Sequence, residues 1–133
     1  MRATIHFMGK QTVPNALPDL SESEIQSQVV AWLRALRLIY GFEVFSVPNE
    51  GKDRANPARL AKLKRMGLRA GAGDLVLFQR GRAYVLEMKT RTGKQDKDQI
   101  DFEADMARVG IPYAVAHSFE EAKKNVESWS IFA

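Results

Sequence analysis

The sequence predicts an α/β protein, a mixed β-sheet flanked by helices in the order αβαββαβα. Three features carry that prediction. Apolar residues recur at helical spacing in segments that open on capping residues. Short runs of β-branched and aromatic residues, bounded by Gly or Pro, lie between them. Helices and strands interleave along the chain, which indicates a sheet covered on both faces.

Taken in order, residues 1–20 are polar and contain Pro14 and Pro18, so they read as an N-terminal arm with a short strand at Thr4–Met8. Residues 21–133 form the single domain. Ser21-Glu22-Ser23-Glu24 has the form of a capping box and opens a helix that runs to about Tyr40, where Gly41 stops it. Its buried stripe is Ile25, Val29, Trp32, Leu33, Leu36 and Ile39. Phe42–Val47 is a strand closed by Pro48. Asn56-Pro57 is an N-cap with proline at the first helical position, and Leu60 and Leu63 are the inward residues of a helix ending at Gly67.

Asp74–Phe78 and Arg82–Met88 are strands joined by a turn at Arg80-Gly81. Asp96 to Gly110 is a helix with Ile100, Met106 and Val109 among its buried positions. Tyr113–Ala116 is a short strand, and Ser118 to Glu121 forms a second capping box for a helix to about Ser128. Trp32 belongs to the core, and His117 to a strand-to-helix loop.

Composition narrows the function. With 133 residues and 45% hydrophobic content, the chain is long enough for one cored domain. The absence of Cys excludes disulfides, thiolate metal sites and Cys nucleophiles. Two distant histidines, His6 and His117, argue against a His-based metal site or triad. No apolar run is long enough to span a membrane, and Met1–Met8 lacks a signal-peptide core, so a soluble cytoplasmic location is expected.

The net charge of +4 is unevenly placed. Lys52, Arg54, Arg59, Lys62, Lys64, Arg65 and Arg69 face only Asp53 between residues 51 and 70. Between residues 95 and 127 acids outnumber bases. A basic window that exceeds the whole net charge suggests a polyanion-binding face, although a solvated helix face has the same composition.

The hairpin at 74–89 holds the chemistry. A turn centred between Arg80 and Gly81 sets Leu77 opposite Tyr84, Leu75 opposite Leu86, and Asp74 opposite Glu87. Opposed side chains lie roughly 5 Å apart on one face, and the period of two adds Lys89 to that face. Two carboxylates and an ammonium therefore converge at one end of apolar strands. A structural ion pair gives the same pattern. Unpaired charge on strands buried on both faces is expensive, however, which favours a hard divalent cation such as Mg2+ between the acids. The Met88 carbonyl lies on the same edge as a further oxygen ligand.

These residues resemble a known family. Asp74 followed by Glu87-Met88-Lys89 is similar to the D…(D/E)XK signature of the PD-(D/E)XK nuclease superfamily. The longer pattern is more specific: Val47-Pro48-Asn49-Glu50-Gly51, then Lys64-Arg65-Met66-Gly67-Leu68-Arg69-Ala70-Gly71, then the acidic motif. It resembles the VRR-NUC branch in its small stand-alone phage and bacterial form, over roughly Ser21 to Val126. The tail Trp129–Ala133 lies outside the resemblance. Gly73 stands where the family usually has proline, so the proline's fixed φ is missing before Asp74.

The resemblance implies a restriction-endonuclease-like sheet, Asp74 and Glu87 as metal ligands, and Lys89 as the catalytic lysine. It also implies roles for a glutamate on the first helix, matched by Glu24, and a glutamine opening a later helix, matched by Gln99. Both have an alternative role in caps, Glu24 closing the Ser21 box and Gln99 standing three residues after Asp96.

The activity implied is Mg2+-dependent, structure-selective DNA cleavage, with Mn2+ able to substitute. Branched DNA such as a four-way junction is the implied substrate, cut by a homodimer. Asn49, Lys52, Arg54, Arg59, Lys62, Lys64, Arg65 and Arg69 are the expected DNA contacts, positioning the backbone without reading sequence. Flap, nicking or exonuclease activity, or a non-catalytic nucleic-acid-binding module, are the alternatives.

Overall fold

The computed structural model describes residues 19–48 and 56–133. The expected arm before residue 19, and Asn49, Lys52 and Arg54, lie outside the described residues. The elements follow the expected order: α1 (Glu22–Tyr40), β1 (Glu43–Ser46), α2 (Pro57–Arg65), β2 (Leu75–Gln79), β3 (Arg82–Met88), α3 (Lys97–Arg108), β4 (Tyr113–Ala116) and α4 (Phe119–Ser128).

Local chemistry sets the helix ends. The Ser21 hydroxyl accepts from the Glu24 N–H, and the Glu24 carboxylate accepts from the Ser21 N–H, completing a reciprocal box. Gly41 ends α1 in the left-handed region at φ 71°. Asn56 caps α2 through the Arg59 N–H, with Pro57 at the first helical position. The second box, expected at Ser118, is half formed. Ser118 accepts from the Glu121 N–H, but the Glu121 carboxylate bonds the N–H and ring of His117 instead.

The sheet order is β1-β2-β3-β4. The β1/β2 and β2/β3 pairs are antiparallel and β3/β4 is parallel. Leu75 pairs with Leu86 and Leu77 with Tyr84, as the turn geometry required. The period of two then sends Leu75, Leu77, Tyr84, Leu86 and Met88 into a core with Ile25, Val29 and Leu33 of α1 and Ala122 and Val126 of α4. Burying a leucine of this set contributes about 2–3 kcal/mol. The opposite face carries Val85 and Glu87, and α3 lies against β4 beside them.

Three positions expected in the core are exposed: Ile39 on α1, Ile100 on α3, and Val109 at the C-cap of α3. In α3 the buried residues are Gln99 and Phe102. The buried stripe is therefore shifted by one position from Ile100, and it begins with a polar residue, Gln99. The tail beyond α4 completes the core. Ile131 is fully buried, its carbonyl accepts from Gln79 Nε2 at 2.8 Å, and the Trp129 ring stacks on Tyr84. Phe132 meets Trp32 edge-on at 5.5 Å. Among the described residues, no helix is long and apolar enough to cross a membrane.

Candidate active site

Asp74 precedes β2 and is held by backbone on three sides. Its N–H donates to the Leu86 carbonyl at 3.0 Å, its carbonyl accepts from the Val47 N–H at 3.0 Å, and Oδ2 accepts from the Met88 N–H at 2.6 Å. These bonds supply the rigidity that a preceding proline would have given. Gly73 has a steric reason of its own. A Cβ there would collide with Val85 Cγ1, so the close packing of β3 excludes any side chain at that position.

Glu87 projects from β3 on the same side and is 1% exposed. Burial, together with the adjacent Asp74 carboxylate, pushes its acid up to about 9, while the nearby Lys89 ammonium acts in the opposite direction. The two acids are close enough to hydrogen bond to each other. Burial and the neighbouring carboxylate therefore both favour the neutral form of Glu87. Lys89 is also buried and extends the parallel pairing, its N–H donating to the Ala116 carbonyl at 2.9 Å. Asp74, Glu87 and Lys89 are brought together as the strand register required.

The remaining residues around Glu87 come from elements distant in sequence. Gln99, at the start of α3, donates from Nε2 to Glu87 Oε2 at 3.0 Å. Its other amide atom, Oε1, accepts from the Asp96 N–H at 2.9 Å, and the Asp96 side chain accepts from the Gln99 N–H in return. Cap and site contact are therefore made by one side chain. The Tyr113 hydroxyl, on β4, lies 3.4 Å from Glu87 Oε1. Burial and Glu87 raise the phenol above its ordinary range.

The glutamate of α1 needs a correction. Glu24 is occupied by the Ser21 N–H, is exposed, and is held below the usual carboxylate range by that bond. The acid on α1 whose charge reaches Glu87 is Glu22, two residues earlier and half-buried. The capping pattern held the signal, because a residue that closes a box points back at its cap and not into the sheet.

The basic window divides in the same way. Arg59, Lys62, Lys64 and Arg65 stand on α2, none of whose residues is buried. Arg69, expected to meet phosphate, instead donates to Asp105 Oδ2 at 2.7 Å with its guanidinium 5.4 Å from the centre of the Phe102 ring. It ties the segment before β2 to α3. Gly71 does the same by close approach, at φ +79° and with its missing Cβ directed at the Asp98 backbone. That contact sets the start of α3, and with it Gln99, over Glu87.

The arrangement suits a hard divalent cation. The buried Glu87 carboxylate lies beside the half-buried Asp74 carboxylate, and the Met88 backbone adjoins both. Among the described residues no three acid or imidazole side chains gather into a ready cage. A concavity of about 420 Å³ lined by Gln26, Val30, Arg34, Val44 and Phe45 lies between α1 and β1 and includes neither carboxylate.

No protein-family model and no curated protein matches the chain. Solved structures do. A "VRR_NUC domain protein" superposes with a TM-score of 0.67 at 22% identity, covering 84% of this chain and 89% of the other. A "VRR_NUC domain" superposes at 0.56 with 24% identity, over 80% and 94% of the two chains. The mixed four-stranded sheet with its flanking helices is the fold of these VRR_NUC domain structures.

Proposed function

We propose that this chain is a VRR-NUC nuclease, a Mg2+-dependent, structure-selective DNA endonuclease that also accepts Mn2+. The carrying observation is the buried Glu87 and Lys89 beside the half-buried Asp74, on the fold of VRR_NUC domain structures. Asp74, Glu87 and the Met88 carbonyl would hold the cation. Bound there, it would lower the pKa of a water and neutralise charge on the phosphodiester.

The chain's own residues supply the rest. The Met88 N–H fixes the Asp74 carboxylate, and Gln99 restrains that of Glu87. Lys89, held in a poorly solvated position, orients the attacking water or stabilises the negative charge that develops. Arg59, Lys62, Lys64 and Arg65 meet the DNA backbone on α2, directly before the acidic motif. Glu22 adds a negative charge on the α1 side and takes the place given above to Glu24.

The finer reading is resolution of four-way junctions by a homodimer, since paired incisions suit two-fold symmetry. Leu38 and Ile39, exposed at the end of α1, are available for such a contact. The test is cleavage of labelled junction, flap and linear duplex DNA in Mg2+, Mn2+ or EDTA. Glu87→Ala and Lys89→Ala should abolish cleavage while folding and DNA binding persist. Activity in EDTA, or in either variant, would refute the metal mechanism. Equal cutting of junction and linear duplex would refute the junction preference alone.

A further inference from the structure

Glu87 has two carboxylate oxygens, and the fold supplies a separate donor to each. Gln99 serves Oε2. On the other side, Gln95 Nε2 donates to the Tyr113 hydroxyl at 3.3 Å and to Glu103 Oε1 at 3.1 Å. With its oxygen already accepting from Gln95, the Tyr113 hydroxyl directs its own proton at Glu87 Oε1, 3.4 Å away. The donors run one way, from Gln95 to Tyr113 to Glu87.

Tyr113 also touches the other half of the site. A Cβ placed on Gly73 would lie 3.7 Å from Tyr113 Cε2, so the ring packs beside the backbone that leads into Asp74. Phe102 of α3 supports the ring edge-on, with centroids 5.9 Å apart. One side chain therefore packs beside the Asp74 backbone with its ring and restrains the Glu87 carboxylate with its hydroxyl.

We propose that Tyr113, oriented by Gln95, is a positioning residue that sets the rotation of the Glu87 carboxylate and so tunes divalent-cation affinity. This rests on the nuclease reading above. At 3.4 Å the bond is long, but it restrains the Glu87 oxygen that Gln99 does not serve. Residues that orient a metal ligand in this manner change metal affinity about 10–100-fold when removed.

The test is calorimetric titration of the full chain with Mn2+, comparing wild type, Tyr113→Phe and Gln95→Leu. Tyr113→Phe keeps the ring and removes only the hydroxyl, so its melting temperature in EDTA and its DNA affinity in EDTA should match wild type. Its Mn2+ affinity should fall about 10-fold, with a smaller fall in the same direction for Gln95→Leu. Cleavage at saturating Mn2+ should recover to near the wild-type rate. A Tyr113→Phe protein that binds Mn2+ as tightly as wild type overturns the positioning role alone. If Tyr113→Phe melts early, Gln95→Leu decides the matter by the same titration. A wild-type protein that binds no Mn2+ removes the nuclease reading, and this proposal with it.

Discussion

Gln99 donates to Glu87 Oε2 at 3.0 Å with one amide atom and accepts from the Asp96 N–H at 2.9 Å with the other. The same residue thus starts α3 and restrains an acid of the site, and the two roles can be separated. Gln99→Glu keeps an acceptor for the Asp96 N–H but sets a carboxylate against Glu87. It should retain most of the cap and lose cleavage. Gln99→Ala should lose both, at a stability cost of about 1 kcal/mol. Thermal melts beside cleavage rates check this, and equal activity in the two variants and wild type would refute the site role.

Glu87 predicts a pH dependence of stability in EDTA. Its acid is raised to about 9, above its value in an unfolded chain. The folded state therefore holds a proton that the unfolded state releases, and the stabilisation is full below the unfolded pKa. It is lost progressively as pH rises through about 9. Glu87→Gln removes that loss. In EDTA at pH 8 it should melt above wild type, by roughly 3 °C or more for a gain of about 1 kcal/mol. The gap should close towards pH 5, and the variant should not cleave.

The bases of α2 and Arg69 should behave differently. Replacing Lys62, Lys64 and Arg65 with Gln should weaken binding to all DNA sequences and lower the salt slope by about 0.9 for each phosphate left without its cation. Arg69→Gln breaks the pair with Asp105 and the packing on Phe102, so its main effect should be on melting temperature. Binding measured across a salt series, with melts in parallel, distinguishes them.

Gly73→Pro, which would set the proline of the resembled motif before Asp74, should destabilise this chain. Its Cβ would strike Val85 Cγ1, and crowding of this kind costs about 1–3 kcal/mol. Val85→Ala opens the space, so the double variant should be more stable than the two single losses added together. Denaturant melts of the four proteins form the cycle. Strict additivity would show that the clash is not the cause.

Much of the fold was legible because its signals are local. Caps at Ser21, Asn56 and Asp96, the stop at Gly41 and the Arg80-Gly81 turn depend on residues a few positions apart. The turn fixed the strand register, and the register brought Asp74, Glu87 and Lys89 together. Ile39, Ile100 and Val109 were misplaced because helical periodicity gives a stripe but not how much of it a neighbour covers. The tail was missed for a related reason. Trp129, Ile131 and Phe132 follow no period, and only the position of Tyr84, Gln79 and Trp32 gives them a place.

The sequence by itself determined the element order, the hairpin and the three charged residues of its motif, since each follows from near-neighbour sterics and the period of a strand. Tertiary structure decided which other groups reach that motif. The parallel pairing of β3 with β4 set Tyr113 beside Glu87, and the docking of Gly71 on α3 set Gln99 over it. It also brought the charge of Glu22, and not that of Glu24, to bear on Glu87, and committed Arg69 to Asp105. Contacts between residues far apart in the chain depend on how whole elements pack, and no short-range pattern encodes that.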